Sequence, residues 1–272
     1  MPELPEVEVT KRGVERVLVN HRIDDVFIGK LSLRLPMSED LRKLKGATIT
    51  KLERRGKYII VFTTQGSLVI HLGMTGHLSI VDSGSERILH DHFELMLDSK
   101  TSVRYNDARR FGLIVYLEAG FDPYEYKPLK ELGPEPLNDD FTAEVLLKNL
   151  KRRKLSIKQA LMNSAVVVGV GNIYACEVLF ACHIDPCRLA NSITLDEAQA
   201  LVITIKRILT ESIASGGTTI RDFEGADGKL GYSVQNLMVY GHCDEPCKVC
   251  GTTIKRIVQG QRSTFYCPHC QK

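Results

Sequence analysis

The stretch CKVCGTTIKRIVQGQRSTFYCPHC, residues 247–270, decides the fold of the C-terminal part of this 272-residue chain. It contains two Cys-x2-Cys pairs, Cys247 with Cys250 and Cys267 with Cys270, with sixteen residues between them. Thiolates at this spacing can close a tetrahedron around Zn²⁺ and so stabilise a segment that is too small to have a core. The spacing therefore predicts a zinc ribbon that holds one structural zinc ion.

The residues between the two pairs predict a β-hairpin. Strands are expected over 252–258 and 263–266, around a turn at 260–262 that carries Arg262 at its tip. An arginine displayed there can grip a phosphate with two N–H groups. Ribbons of this kind occur in many unrelated proteins that bind nucleic acid or other proteins, so the motif indicates binding without indicating an enzyme.

Two other interpretations of the ribbon cysteines stay open. In the first, the four cysteines form two disulfides, although a cytoplasmic protein keeps its thiols reduced. The remaining cysteines show no such pairing pattern: Cys176, Cys182, Cys187 and Cys243. The other interpretation makes Cys243, His242 or His269 a rival metal ligand, and we interpret these three as bystanders near the metal.

Upstream of the ribbon, the sequence has helical periodicity. Helices are expected over Thr142–Lys151, over Ser156–Met162 and from Asn172, as N-cap, through Phe180. A further long helix starts at a capping box of Thr194 with Glu197 and stops at Gly216-Gly217. Residues 217–236 are rich in Gly, Asp and Ser and predict a flexible loop.

The first 118 residues predict mostly β-structure with one leading helix. Short apolar or alternating runs recur between turn-like stretches, at 58–62, 68–70, 93–97 and 113–116, which favours a sandwich or barrel. Pro5 suits the first position of a helix whose apolar face would comprise Val7, Val14, Val17 and Leu18. Residues 119–140, rich in Pro and Gly, have the composition of a linker.

Composition and charge exclude some classes of protein. With 43% hydrophobic and 25% charged residues the chain can bury a substantial core. No apolar run approaches the roughly 18 residues of a membrane span, and an N-terminus carrying Glu3, Glu6 and Glu8 is unlike a signal sequence, so a cytoplasmic protein is expected. The net charge of +3 does not by itself establish a nucleic-acid partner. Basic clusters do occur, at 54–57, 109–110 and 151–154.

The Gly169-Val170-Gly171-Asn172 stretch invites comparison with a dinucleotide-binding fingerprint. Tyr174 stands where the third glycine would belong, and no βαβ repeat surrounds the motif. We reject that interpretation. A tight glycine turn that leads into a helix remains, and the free N–H groups of that helix can hold a phosphate.

The N-terminus offers a nucleophile. Removal of Met1 before the small residue Pro2 would expose a secondary amine, and an α-amino group has a pKa of about 7.7 to 8.0, so an appreciable fraction is neutral at physiological pH. Glu3 beside it can give or take a proton. Taken alone, the same residues also fit an ordinary acidic helix N-terminus.

Six motifs in one order resemble formamidopyrimidine-DNA glycosylase over essentially the whole chain. They are MPELPEVE at 1–8, RGKY at 55–58, HLGMTG at 71–76, DARRFG at 107–112, GVGNIY at 169–174 and the C-terminal ribbon. The resemblance implies an α+β protein: a catalytic β-sandwich with a leading helix at 1–118, a linker at 119–140, a helix-two-turn-helix domain at 141–236 that includes a lesion loop at 217–236, and a zinc finger at 237–272. DNA would lie in the cleft between the domains.

The resemblance also implies a reaction. A bacterial, cytoplasmic and monomeric enzyme of base excision repair would remove oxidised purines, such as 8-oxoguanine and formamidopyrimidines, from double-stranded DNA and would cleave the strand at the abasic site. Its catalytic residues would be Pro2 as nucleophile, Glu3 as acid-base partner, Lys57 and Arg262.

The resemblance implies DNA contacts as well. His71, Asn172 and Arg262 would clamp phosphates, Lys158 would contact DNA, and Met74, Arg109 and Phe111 would fill the gap left by the extruded base. Tyr232 in the lesion loop and Glu177 are weaker candidates. The only cofactor expected is one structural Zn²⁺ on Cys247, Cys250, Cys267 and Cys270.

The sequence departs from the family's pattern at 163–165 and at 242–244, where Asn-Ser-Ala and His-Cys-Asp stand. The first departure can alter contacts near the cleft, and the second leaves Cys243 as a rival ligand. Two alternative functions remain. A relative of the endonuclease VIII branch would prefer oxidised pyrimidines, but the Leu4-Pro5 start and the glycine-rich loop argue against it. A zinc-ribbon protein that binds damaged DNA without cutting it is the other.

Overall fold

The computed structural model describes residues 2–217 and 237–272. The region 218–236, which contains Tyr232 and most of the predicted lesion loop, lies outside the described residues. Contacts divide the described chain into two units, 2–130 with 215–217, and 131–214 with 237–272. The domain bounds expected from the sequence stay a prediction.

The chain begins with helix α1, Leu4–Leu18. A capping box of Glu3 and Glu6 closes its N-terminus, since each side chain accepts a hydrogen bond from the backbone N–H of the other residue. Pro5 is the second helical residue rather than the first, because Leu4 already has helical conformation. The predicted apolar face is confirmed: Val7, Val14 and Leu18 are buried, and Val17 packs against the same core.

Eight antiparallel strands follow in the first unit, together with a 3-10 helix at Glu39–Leu44. The strands are β1 Ile23–Ile28, β2 Ile49–Arg55, β3 Tyr58–Thr63, β4 Gly66–His71, β5 His77–Asp82, β6 Asp91–Leu97, β7 Thr101–Asn106 and β8 Leu113–Leu117. They form two four-stranded sheets, in the orders β1-β6-β7-β5 and β2-β3-β4-β8. All four predicted strands are confirmed.

The two sheets enclose one apolar core. Ile59 and Leu68 from one sheet share that core with Phe93 and Tyr105 from the other, and helix α1 adds Val14. Burial of this apolar surface is the main favourable contribution to folding of the unit. The predicted β-sandwich is confirmed, and the antiparallel pairing of every described sheet agrees with rejecting a dinucleotide fold.

The predicted linker, 119–140, contains some local structure. A 3-10 helix covers Pro123–Glu125 after Asp122, whose side chain accepts the N–H of Tyr124, and a single helical turn, α2, covers Lys127–Lys130. The second unit begins with residue 131.

Four helices form most of the second unit. They are α3 Ala143–Leu150, α4 Ile157–Leu161, α5 Asn172–Ala181 and α6 Leu195–Ala214, with a 3-10 helix at Ala190–Ser192. Thr142 caps α3 and Ser156 caps α4 through side-chain oxygens. No described helix, α6 included, is long and apolar enough to span a bilayer.

Two predicted helix caps have different outcomes. The box at the start of α6 is confirmed, because Thr194 accepts the N–H of Glu197 while the Glu197 carboxylate accepts the N–H of Thr194. The prediction that Asn172 caps α5 is wrong. Gly171 is the N-cap, and Asn172 is the first helical residue, which leaves its side chain for other partners.

The C-terminal hairpin consists of β9, Lys255–Gln259, and β10, Arg262–Tyr266. Gly260 and Gln261, with φ of 53° and 61°, form a two-residue turn of the kind that matches strand twist. The predicted first strand starts too early, because Thr253 bridges to Pro246 instead. Arg262 opens β10 beside the turn rather than belonging to it, and it is exposed.

Candidate functional site

Pro2 and Glu3 lie at the N-terminus of α1, and both are buried. The backbone N–H of Glu3 donates to Oε2 of Glu6 over 2.8 Å. Because the capping box fixes the backbone at Glu3, it also fixes the direction in which the chain leaves toward Pro2. An acidic side chain therefore stands next to the predicted nucleophile in a place with little solvent.

Lys57 and His71 lie near each other at one end of the second sheet, where β3 begins and β4 ends. Gly56 and Lys57 connect β2 to β3, and the next residue, Tyr58, is paired with His71 on β4, with ring centroids 4.7 Å apart. Burial first, and then the charges of Lys57 and Arg34, lower the pKa of His71 to about 4. The imidazole is therefore neutral at pH 7.

The tautomer of His71 follows from its neighbour. Nδ1 of His71 accepts the backbone N–H of Gly73 over 3.0 Å, so the proton of the neutral ring is on Nε2. A neutral histidine with a fixed Nε2–H can donate a hydrogen bond to a phosphate oxygen without losing a proton to it.

Met74, Arg109 and Phe111 come together on two adjacent loops, 72–76 and 107–112. The guanidinium of Arg109 lies over the ring of Phe111, 4.9 Å from its centroid. Arg109 is exposed, Phe111 is 48% exposed and Met74 is half-buried. The apolar ring of Phe111 and the planar N–H donors of Arg109 are thus exposed side by side.

Asp107 is fully buried beneath these three side chains. The sequence alone predicted no role for it. Its Oδ1 accepts the hydroxyl of Thr75 over 2.6 Å, and its Oδ2 accepts the N–H of Gly112 over 2.8 Å. The available signal was its position: an acidic residue directly after a strand, at the start of the arginine-containing motif.

In the second unit, a chain of polar contacts joins α4, α5 and the C-terminal hairpin. The Lys158 ammonium, fully buried, donates to Oδ1 of Asn172 over 2.5 Å. Nδ2 of Asn172 donates to the carbonyl of Ser263 over 2.9 Å, the residue after Arg262. Lys158 and Asn172 therefore hold the strand that displays Arg262.

Glu177 has a structural part in the same unit. Its carboxylate accepts the backbone N–H groups of Met238, Val239 and Tyr240 over 2.8, 3.0 and 2.8 Å. It thereby anchors the start of the C-terminal segment on α5. The ring of Tyr240 packs edge-on against Phe265 of β10, with centroids 5.0 Å apart.

The four predicted zinc ligands converge. The sulfurs of Cys247, Cys250, Cys267 and Cys270 all lie within 4.8 Å of one another. Zinc–thiolate bonds of about 2.3 Å in a tetrahedron require sulfurs about 3.8 Å apart. The measured separations of 4.0 Å for Cys247–Cys270 and 3.4 Å for Cys250–Cys267 fit that requirement. Four protein ligands close the site, so the zinc is structural rather than catalytic.

The rival ligands point elsewhere. The Cys243 thiol donates to Asp244, and His242 pairs with Glu245 over 2.7 Å. His269 is exposed, and the metal-binding group found among the described residues contains none of the three. All eight cysteines are described and none forms a disulfide, which excludes the disulfide interpretation in this structure.

Three domain families match the sequence in order. The formamidopyrimidine-DNA glycosylase N-terminal domain matches residues 1–114, the formamidopyrimidine-DNA glycosylase H2TH domain matches 132–224, and a zinc finger found in FPG and IleRS matches 244–272. A sandwich, a helix-two-turn-helix domain and a four-cysteine finger define a class of zinc-finger DNA glycosylases.

Individual proteins match over their full length. Formamidopyrimidine-DNA glycosylases of Pseudomonas savastanoi and Thioalkalivibrio sulfidiphilus are 46% and 47% identical, each with 100% of both chains covered. The MutM (Fpg) structure from Thermus thermophilus is 34% identical, with a TM-score of 0.89 and coverage of 99% and 98%. A Lactococcus lactis FPG mutant solved with Fapy-dG DNA is 32% identical, with a TM-score of 0.91 and full coverage of both chains. The chain belongs to the formamidopyrimidine-DNA glycosylase family.

The environment of His71 predicts an unusual titration. We expect the folded protein to keep this imidazole neutral, protonated on Nε2, from about pH 8 down to about pH 5. The unfolded chain binds the proton near pH 6.5 and the folded chain only near pH 4, so stability falls as the pH drops through that interval and is unaffected above it. Nitrogen-resolved NMR of the ring measures both properties. A midpoint near 6.5, or a proton on Nδ1, would contradict the assignment.

The sulfur cluster predicts a ligand-specific loss of metal. Replacing Cys250→Ser removes one of four thiolates and should release the zinc, whereas the matched Cys243→Ser, a few residues away, should retain one zinc per chain. Metal analysis of the two purified variants is the measurement. Full zinc in the Cys250→Ser protein would overturn the ligand set and bring Cys243 or His269 forward.

Proposed function

We propose that this chain is a bifunctional DNA glycosylase and AP lyase of bacterial base excision repair. Its substrate would be duplex DNA with an oxidised purine, and its nucleophile the amine of Pro2. The observation that carries the proposal is the buried Pro2-Glu3 pair at the capped start of α1, in a chain of this family. Work on chromosomal DNA would take place in the cytoplasm.

Structures of relatives support the substrate class. They contain Lactococcus lactis FPG bound to Fapy-dG DNA and to abasic-site DNA, and MutM bound to DNA that contains carbocyclic 8-oxo-G. The chain is 32–33% identical to these proteins over 99% to 100% of its length. An endonuclease VIII type of preference is tested by offering an oxidised pyrimidine in the same duplex.

The first chemical step is displacement of the damaged base. The lone pair of the Pro2 nitrogen forms a bond to C1′ of the flipped-out nucleotide, and the glycosidic bond breaks with its electron pair leaving on the base. The nitrogen then gives up its N–H proton, which balances the proton that the departing base takes up. Glu3 then protonates the sugar ring oxygen as the C1′–O4′ bond opens. Because Pro2 is a secondary amine, the product is a positively charged iminium.

The second step cleaves the strand. The iminium withdraws electrons from C2′ and acidifies its proton, and a base removes that proton. The electrons form a C2′–C3′ double bond while the C3′–O bond breaks and the phosphate departs. Lys57, which lies close enough to His71 to depress its pKa, supplies positive charge for the phosphates of this region or serves as the base.

Phosphate contacts hold the DNA during both steps. The fixed Nε2–H of His71 donates from the first unit, and the Arg262 guanidinium, exposed beside the hairpin turn, offers a two-pronged contact from the second. Asn172 and Lys158 contribute through the strand that they hold in place, since Lys158 has no exposed surface of its own. Tyr232 stays a candidate DNA contact.

Met74, Arg109 and Phe111 fill the space that the flipped base leaves. Extrusion of the base costs a few kcal/mol and leaves the opposite base without a partner. Phe111 can wedge into the stack, while Arg109 donates to the acceptor edge of an orphaned cytosine. An adenine there would present an amino donor to the guanidinium, so excision opposite cytosine is favoured.

The nucleophile predicts a covalent intermediate that can be trapped. Borohydride reduction during the reaction should link the wild-type protein to DNA through the nitrogen of Pro2, and Pro2→Gly should strongly reduce the adduct. Mass spectrometry of the linked peptide is the measurement, with Lys57→Ala as the control that keeps the N-terminal amine. Undiminished trapping after Pro2→Gly, or an adduct on an internal lysine, would refute the assignment.

Arg109 predicts a preference for the opposite base. Wild-type protein should excise 8-oxoguanine faster opposite cytosine than opposite adenine, by an energy on the order of 1 to 3 kcal/mol. Arg109→Ala should collapse that ratio. Single-turnover rates on both duplexes measure it, and Arg110→Ala is the matched control. If Arg109→Ala slows both duplexes equally, Arg109 is only part of a basic DNA-facing patch.

A further inference from the structure

We infer that Asp107 is the positioning residue of the gap-filling side chains: its buried carboxylate fixes the loop 107–112 on the loop 72–76 so that Arg109, Phe111 and Met74 keep one geometry. The inference rests on the proposed gap-filling function. Asp107 itself does not touch DNA, since none of its surface is exposed. It acts through the loops that it joins.

Hydrogen bonds from both loops converge on the carboxylate. Oδ1 accepts the Thr75 hydroxyl over 2.6 Å and the backbone N–H of Arg109 over 3.3 Å. Oδ2 accepts the backbone N–H of Gly112 over 2.8 Å and the hydroxyl of Tyr105 over 3.1 Å. The Asp107 side chain thus joins the loop 72–76, the backbone of the gap-filling arginine, the end of its own loop and the sandwich core.

The backbone of Asp107 extends this arrangement. Its carbonyl accepts Nε2 of the buried His92 over 3.0 Å and the N–H of Arg110 over 3.2 Å. Arg110 has a φ of 57°, in the left-handed region, so the chain turns sharply after Arg109. A strained non-glycine residue persists only where its surroundings fix it, and here the surroundings are the Asp107 contacts.

Tyr105 supports the Asp107 carboxylate from the sandwich core. Its ring is fully buried in the sandwich core, and burial, together with the Asp107 charge, raises the pKa of its hydroxyl, which therefore stays protonated and donates. A buried carboxylate that accepts several hydrogen bonds is costly to move, because any lost partner leaves charge unsatisfied in a medium of low polarity.

The two loops are also in backbone contact. A Cβ on Gly73, which has a φ of 69°, would lie 2.5 Å from the amide nitrogen of Gly112, and a Cβ on Gly112 would lie 1.6 Å from the Tyr105 hydroxyl. Neither loop can therefore shift toward the other. The carboxylate, which is hydrogen-bonded to both loops, opposes their separation.

This rigidity matters for the proposed reaction, because a gap-filling side chain must keep its place while the DNA bases on either side tend to stack on each other again. A loop that is ordered beforehand loses little entropy when DNA binds. The inference therefore predicts that loosening the carboxylate impairs reactions that need the gap filled and spares those that do not. A single-stranded abasic site is the second kind, since it has no orphaned partner base.

The primary test is Asp107→Asn, which keeps the size of the side chain but removes the charge and one acceptor position. We expect single-turnover excision of 8-oxoguanine opposite cytosine to fall at least about tenfold, and the cytosine-to-adenine ratio to shrink. Cleavage of a single-stranded abasic oligonucleotide should stay within about twofold of wild type, since the chemistry at Pro2 needs no filled gap. Melting temperature and zinc content report folding of the variant.

A milder pair of variants covers the case in which Asp107→Asn fails to fold. Thr75→Val removes the hydroxyl that bridges Asp107 to the Arg109 N–H, with almost no change in size. It should lower duplex excision about threefold to tenfold, the effect of a hydrogen bond, whereas Thr75→Ser retains the hydroxyl and should restore the rate.

The outcomes separate this inference from the proposed function. If Arg109→Ala collapses the base preference but Asp107→Asn and Thr75→Val leave duplex excision unchanged, the positioning role is wrong and the function stands. Equal losses on duplex and single-stranded substrates would also overturn it, because they indicate general structural damage. If Arg109→Ala itself leaves the base preference intact, the gap-filling proposal fails first.

Discussion

Irregular backbone at a site must satisfy its N–H groups without a helix or sheet to pair with, and this constraint governs the structure. Three buried carboxylates among the described residues illustrate it. Glu6 accepts the N–H of Glu3 beside Pro2, the proposed nucleophile, Asp107 accepts that of Gly112 beneath the proposed gap-filling loop, and Glu177 accepts three amides where the C-terminal segment begins. Each acidic side chain holds a stretch of chain for which a function is proposed or on which the C-terminal hairpin depends, and none needs to face the substrate.

Much of this architecture could be predicted from local signals. The cysteine spacing predicted the metal cluster because zinc geometry leaves few alternatives, and short apolar runs between turn-like stretches predicted strands such as β3. The capping box at Thr194 was equally local. Roles for Pro2, Lys57 and Arg109 depended on resemblance to a family, since a proline or an arginine alone has too many structural uses.

The rest could not be predicted because it depends on contacts distant in sequence. Asp107 bonds to Thr75, 32 residues away, and Asn172 reaches Ser263, 91 residues away. The helix-capping role expected for Asn172 was a reasonable local choice, and a long-range partner, together with Gly171, displaced it. No periodicity encodes such pairs, and a buried aspartate looks the same in sequence as an exposed one.

The close approach of Gly73 to Gly112 divides the proposed gap-filling surface into a part that evolution cannot easily alter and a part that it can. Any larger residue at either glycine meets backbone or the Tyr105 hydroxyl, so the platform is fixed. The side chains at 74, 109 and 111 project from it, and exchanging them leaves the packing below intact. If these side chains read the undamaged strand as proposed, selectivity toward that strand can diverge among relatives, or be redesigned, by exchanging three side chains while the backbone beneath them stays unchanged.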